Sequence, residues 1–282
     1  MAIGSFTIML LTKYDDLPTS RYFEKPATCA ESCAGRLAYI HHPGQSQSPG
    51  IMFLPGFKSV MRSTKTRAIF SFCEEQSLEF TTLDYYGEGE SRDSDTNSEE
   101  RKKSIGQWKN DVIAVFDNIP SSQKQIIVGS SMGSWLMILL AKARFERIEG
   151  LLGIASAPDF TSLFMGDIAK SDKLANQMEM MGYCDLPTKY DSQGSYRIYQ
   201  SFLDEAERHF VMTNPRGTLD LDIRLRLIHG MDDKDIDHTL SEILFSEFQT
   251  QDKKLHLIEG GDHRLSKPDE IEIIIETLKD LL

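Results

Sequence analysis

The chain has 282 residues, 40% of them hydrophobic, and a formal net charge of −12 with a pI near 5.1. That is enough apolar matter for one large core. It excludes global disorder and the clustered basic footprint of a nucleic-acid binder. Cys29, Cys33, Cys73 and Cys184 are scattered, with no second Cys/His pair at ligand spacing, so ordinary reduced thiols are expected.

Residues 1–35 read as an irregular extension carrying Pro18, Pro26 and Gly35. The apolar stretch from Phe6 to Leu11 lacks the positive flank and the length of a secretory signal. No stretch reaches bilayer-spanning length. A soluble chain of a reducing compartment is therefore expected, its oligomeric state left open.

Arg36 to His42 reads as a strand, and Ile51 to Phe57 as a continuous apolar run, the pattern of a strand buried on both faces. A helix is expected from about Thr64 to Glu75. Leu78 onward gives a strand that ends in a glycine-punctuated loop, Asp84 to Ser91. Ile105 to Ile119 reads as a helix, Gln125 to Ser131 as a strand and Met132 to Ala143 as a helix. Further strands are Ile148 to Ser156, Arg224 to Gly230 and Lys254 to Gly261, before a helix opening at Pro268. Strands alternating with helices predict an α/β fold with a mostly parallel sheet covered on both faces. Residues 36–157 and 216–282 are expected to form this core. Residues 158–215 carry no buried-strand signal and read as a helical lid or cap insertion.

Gly129-Ser-Ser-Met-Gly133 lies where a strand meets a helix, and it fits a G-x-S-x-G elbow. In such a turn the flanking positions have no room for side chains, and the central hydroxyl projects above the sheet edge. Ser131 is the candidate nucleophile. The same residues also suit an ordinary glycine-rich connection, so partners are needed: serine reacts only when a base takes its proton. Of the seven histidines, His263 in Glu-Gly-Gly-Asp-His sits beyond the last strand with two glycines beside it, and it is the expected base. His229, directly before Gly230, is expected to support a turn. The acid should leave the preceding strand, where Asp233 is preferred and Asp235 is the fallback. The order Ser131, Asp233, His263 is that of α/β-hydrolases.

Two backbone donors are expected for the oxyanion. One is the N–H of Met132 at the helix start; the other is the N–H of Phe57 in Pro55-Gly56-Phe57. Many α/β-hydrolases carry His-Gly where this chain has Pro55-Gly56. Phe164, Met165, Met178 and Met181 in the insertion are candidates for an acyl pocket, although methionines at helical spacing also fill plain cores. No metal or organic cofactor is called for.

Asp84-Tyr-Tyr-Gly-Glu-Gly-Glu-Ser91 resembles the D-x-x-G-x-G-x-S loop of α/β-hydrolases. The segments Pro55–Lys65, Gly106–Val112, Val128–Trp135 and Leu227–Asp233 resemble one subfamily, that of α/β-hydrolase domain-containing protein ten. Leu186–Ile198 and Phe202–His209, inside the variable insertion, extend the likeness, which runs from about Arg36 to the C-terminus. The resemblance implies an α/β-hydrolase fold, an acyl-enzyme mechanism on Ser131, Asp233 and His263, and esterase or thioesterase activity. It also implies removal of palmitoyl groups from protein cysteines and hydrolysis of acyl glucuronides. Ser134 stands where a second glycine is common in the family.

Overall fold

The computed structural model describes residues 17–24, 36–45, 47–92, 103–189, 191–212 and 219–282. The strands are β1 (Arg21–Glu24), β2 (Arg36–His42), β3 (Gly50–Leu54), β4 (Phe80–Leu83), β5 (Gln125–Ser130) and β6 (Ile148–Ile154), then β7 (Tyr183–Pro187), β8 (Ser195–Tyr199), β9 (Arg224–Gly230) and β10 (Lys253–Ile258). Eight of them form one sheet in the order β1-β2-β4-β3-β5-β6-β9-β10. From β4 to β10 all pairs are parallel, while β1–β2 and β2–β4 are antiparallel. Every residue of β3 and β5 is buried, in keeping with the apolar runs Ile51–Leu54 and Ile126–Val128 at their centres.

The helices are α1 (Thr64–Glu75), α2 (Ile105–Asn118), α3 (Met132–Arg144), α4 (Thr161–Ala169), α5 (Asp172–Met181), α6 (Gln200–Glu207), α7 (Thr239–Glu247) and α8 (Pro268–Lys279). One core face packs Trp108, Val112 and Phe116 of α2 with Trp135, Leu136 and Leu140 of α3. The other packs Ile69 and Phe72 of α1 with Ile271, Ile274 and Leu278 of α8. The parallel strands therefore all open at one carboxyl edge, which is where a sheet of this kind presents its ligand-binding loops.

Two parts of the chain depart from the sequence reading. Residues 1–35 were expected to be irregular, yet Arg21–Glu24 pairs antiparallel with β2, Arg21 opposite Tyr39 and Glu24 opposite Arg36. These four residues have only partly buried or exposed side chains, so their strand state comes from the partner edge and not from a pattern of their own. The segment read as a helical lid or cap insertion, 158–215, contains α4, α5 and α6 but also the antiparallel hairpin β7–β8. Of the cysteines, Cys73 and Cys184 are free and buried; Cys29 and Cys33 lie outside the described residues.

The two ends of the segment are tied to each other, and its last helix is tied to the core. Asp159, just before α4, accepts backbone N–H bonds from Val211 and Met212 beyond α6, the shortest 2.7 Å. Glu205 of α6 accepts from the backbone N–H of Gly106 at the head of α2 at 3.0 Å. The Trp135 indole N–H donates to the carbonyl of His209 at 2.9 Å.

Candidate active site

The elbow between β5 and α3 holds Ser131 at φ 54° and ψ −121°, a strained conformation for a residue with a Cβ. Glycine is obligatory on both sides. A Cβ on Gly133 would lie 2.1 Å from the carbonyl oxygen of Leu54, and one on Gly129 would lie 2.6 Å from that of Gly133. Ser134 braces the turn. Its hydroxyl donates to the carbonyl of Ser131 at 2.6 Å and accepts from the N–H of Ala157 at 3.1 Å. A serine at this position thus adds cross-links that a glycine could not.

His263 follows β10 and Asp233 follows β9. Their loops are joined where the N–H of Asp232 donates to the carbonyl of Gly261 at 2.9 Å. The approach needs small residues, because a Cβ on Gly230 would stand 2.3 Å from that same carbonyl oxygen. The result is a continuous chain of bonds: Ser131 Oγ lies 3.0 Å from His263 Nε2, and His263 Nδ1 lies 2.7 Å from Asp233 Oδ2. An ionised carboxylate can only accept, so Nδ1 carries the hydrogen and Nε2 is left with a lone pair facing the serine hydroxyl.

Asp233 is itself held on all sides. Its Oδ1 accepts the N–H groups of Asp235 and Ile236, each at 2.9 Å. Its Oδ2 also accepts from Nε2 of the buried His229 at 3.1 Å. Burial pushes the Asp233 carboxyl upward, but the bonds from His229 and His263 outweigh it and hold the group well below the usual carboxylate range. His229 reaches further than the turn support expected of it. With Nε2 donating to Asp233 and to the carbonyl of Ile236, its Nδ1 accepts from the hydroxyl of Ser241 at 2.6 Å. The only sequence signal was the spacing of four between His229 and Asp233, which puts the two side chains at the mouth of one loop.

Gly56 brings the loop after β3 against the elbow, where a Cβ on it would lie 3.2 Å from the Ser131 side chain. The Tyr85 hydroxyl fixes this loop by donating to the carbonyl of Pro55 at 2.8 Å. Tyr85 belongs to the glycine-punctuated loop, whose other residues are also structural. Asp84 accepts the N–H groups of Met61 and Glu90, and the Ser91 hydroxyl links the Asp84 carbonyl to the N–H of Ala38. The Phe57 ring meets Trp108, Phe160, Phe164, Tyr196 and Phe202 at centroid distances from 5.3 Å to 6.1 Å. Met132 is the first helical residue of α3 and directly follows Ser131, so its N–H is one of the helix's unbonded donors.

A cavity of about 920 Å³ contains Ser131, His263, Gly56 and Phe57. The insertion lines it with Phe160, Phe164, Leu174, Leu186 and Tyr196. Of the acyl-pocket candidates, Phe164 lines this cavity, and Met165, Met178 and Met181 do not. Met178 is buried in the core, Met165 packs partly buried against it, and Met181 at the end of α5 is 54% exposed. Leu174, one turn before Met178, takes the cavity position instead. Asp233, Asp235 and His263 lie close enough together to hold a cation, but two of the three are already engaged in the serine-linked chain described above.

No family model matches the chain. The human protein "Palmitoyl-protein thioesterase ABHD10, mitochondrial" is 35% identical over 246 residues, which is 87% of this chain and 76% of the human one. The mouse protein of the same name is 35% identical over 246 residues, covering 87% of this chain and 78% of its own. The solved structure of mouse α/β-hydrolase domain-containing protein 10 superposes with a TM-score of 0.80 at 31% identity, over 94% of this chain and 98% of that one. A monoglyceride lipase from Saccharomyces cerevisiae, at 14% identity and a TM-score of 0.69 over 94% of this chain and 95% of its own, shares the fold. The chain belongs to the family of α/β-hydrolase domain-containing protein 10.

Proposed function

We propose that this protein hydrolyses acyl thioesters and esters through an acyl-enzyme on Ser131, with S-acylated proteins as its macromolecular substrates. The observation that carries the reading is the bonded chain Ser131–His263–Asp233, at 3.0 Å and 2.7 Å. His263 Nε2 takes the hydroxyl proton as Oγ attacks the acyl carbonyl, and Asp233 stabilises the imidazolium that forms. The N–H groups of Met132 and Phe57 receive the developing oxyanion; a lost donor in such a hole costs on the order of a hundredfold or more in rate. His263 then gives its proton to the departing thiol or alcohol. Water, deprotonated by the same imidazole, releases the acid.

The insertion 158–215 serves as the roof, with Phe164 and Leu174 toward the acyl chain. The relatives named palmitoyl-protein thioesterase support a long acyl group and a protein carrier. Those names also read mitochondrial, which supports a mitochondrial setting for this chain; among the described residues no helix is long and apolar enough to cross a membrane. Ser131→Ala is the test. Hydrolysis of p-nitrophenyl esters and of an acyl-cysteine substrate should fall by about 10⁴-fold or more, and a fluorophosphonate probe should no longer label the protein. Retained turnover in this variant would overturn the reading. A wild-type protein that the probe never labels would point to a binding protein on a hydrolase fold.

A further inference from the structure

The cavity has two unlike walls. Phe160, Phe164, Leu174 and Leu186 make one of them apolar. Six basic residues line the same space: Lys58, Arg62, Lys65, Arg67, Lys234 and Arg264. The acidic residues lining it are Asp167 and Asp235. Asp235 lies 3.3 Å from Lys189, and Arg62 forms an ion pair with Glu90 at 2.7 Å. In a chain with 43 acidic and 31 basic residues, any sample of surface should run acidic, so this wall reverses the local sign. Its members come from the loop after β3 with the first turn of α1 and from the loops after β9 and β10, and Ser59, Ser63 and Ser266 line the same space.

Position assigns the wall to one half of the substrate. Arg264 directly follows His263, and the Lys65 ammonium donates to the carbonyl of Arg264. Lys234 directly follows Asp233. The imidazole of His263 is the group that protonates the leaving thiol, and the loops that carry His263 and Asp233 also carry Arg264 and Lys234, which assigns these cations to the leaving-group half. A single carboxylate needs one cation or a bidentate pair; a spread of cations interleaved with hydroxyls matches several phosphate oxygens.

Resting on the thioesterase reading above, we propose that the substrates include acyl thioesters whose thiol half carries phosphate groups, of the acyl-coenzyme A type. The acyl chain lies against the Phe164 and Leu174 wall, and the phosphates lie on the Arg67, Lys234 and Arg264 side. In the step, the Ser131 oxygen bonds to the acyl carbon and the C–S bond breaks. The sulfur takes the proton from His263, leaving the free phosphorylated thiol, and water completes the hydrolysis to the carboxylic acid.

The test compares decanoyl-coenzyme A with S-decanoyl-N-acetylcysteamine, which share the acyl group and thioester, while only the former carries the phosphorylated nucleotide half; the salt and variant arms isolate the charge. At low ionic strength kcat/KM for the coenzyme A ester should be about tenfold higher. That advantage should shrink in about 0.5 M NaCl, where screening is nearly complete. It should also fall in the Arg67→Glu/Lys234→Glu double variant. Equal kcat/KM for the two esters, or a preference that salt does not touch, would overturn the proposal and leave the hydrolase reading standing. Hydrolysis of neither ester by a protein that the fluorophosphonate labels would do the same. If the protein is also not labelled, both readings fail together.

Discussion

Two buried carboxylates sit at opposite ends of the same sheet, and their surroundings differ in kind. Asp233, at the carboxyl edge, takes bonds from two imidazoles, His229 and His263, besides the backbone. Glu79, at the amino edge just before β4, takes its bonds from groups that do not change charge near neutrality. These are the N–H and hydroxyl of Ser121, the N–H of Ser122 and the amide of Gln125, at 2.7 Å to 3.0 Å. Burial raises both pKa values and hydrogen bonding wins in both; Glu79 ends at about 2. On the proposed mechanism one carboxylate is bonded to a group that moves a proton, while the other is bonded to groups that close the β3, β4 and β5 ends, with the His41 imidazole 4.0 Å away and not hydrogen-bonded to it. Similar electrostatics therefore serve chemistry at one edge and cohesion at the other, and the partners decide which.

The sharpest way to break that contrast is Asp233→Asn. The amide leaves the loop bonded at Oδ1, but it can present an N–H where His263 needs an acceptor, which favours the wrong imidazole tautomer. Esterase kcat should fall by about 10⁴-fold, the loss seen when such a triad acid is neutralised, with fluorophosphonate labelling slowed in parallel. A fall of less than about tenfold would remove Asp233 from the relay. The mirror experiment is Glu79→Gln. An amide nitrogen in place of Oε2 would then face the N–H of Ser122, donor against donor. From the distance between about 2 and the ordinary 4.5, stability should drop by about 3 kcal/mol at pH 7, read by urea denaturation, with kcat unaltered at temperatures where the variant is folded. The same group gives a pH signature. Because its folded pKa lies below the unfolded one, the unfolded chain binds the proton first. Its contribution is therefore complete above about pH 4.5 and drains away as pH falls toward 2. In Glu79→Gln that portion of the acid transition should vanish.

The carboxyl edge was legible in the sequence because its chemistry needs particular residues in a particular order. A serine between glycines and a histidine beyond the last strand single out Ser131 and His263, while the loop after the preceding strand offers Asp233 with Asp235 as fallback; the His263 imidazole is bonded to Asp233. The buried strands were legible for a similar reason, since an unbroken apolar run such as that in β3 has few other uses. Glu79 was invisible: an acidic residue between Leu78 and Phe80 looks like an exposed strand end until β5 brings Gln125 beside it. The edge strand Arg21–Glu24 and the hairpin β7–β8 failed to show for the opposite reason. Arg21–Glu24 has no buried residue, and β7 buries only Cys184 and Leu186, so these short strands carry too little pattern and take their state from the neighbouring strand they pair with. The cavity residues suffered from a degeneracy of the helix. On α5, Leu174 and Met178 share one face at a spacing of four, and periodicity cannot say which turn meets the cavity and which meets the core.

His229 makes the contrast finer, because it belongs to the carboxyl edge yet bonds like the amino edge. It is fully buried and touches Asp233, the Ile236 carbonyl and the Ser241 hydroxyl, but it is not bonded to Ser131. In His229→Leu the Asp233 carboxylate keeps His263 and two backbone donors, so the relay survives. Meanwhile Ser241 is left buried without this partner. Stability should therefore fall by about 2 kcal/mol, the cost of orphaning buried polar groups. The kcat should fall by no more than about tenfold, because the tautomer of His263 is still fixed by Asp233. Chemical denaturation and esterase kinetics on one preparation check both parts. A loss of activity as deep as that of Asp233→Asn, with stability untouched, would move His229 into the proton relay itself. The division between the two edges would then run through the loop after β9 rather than between the ends of the sheet.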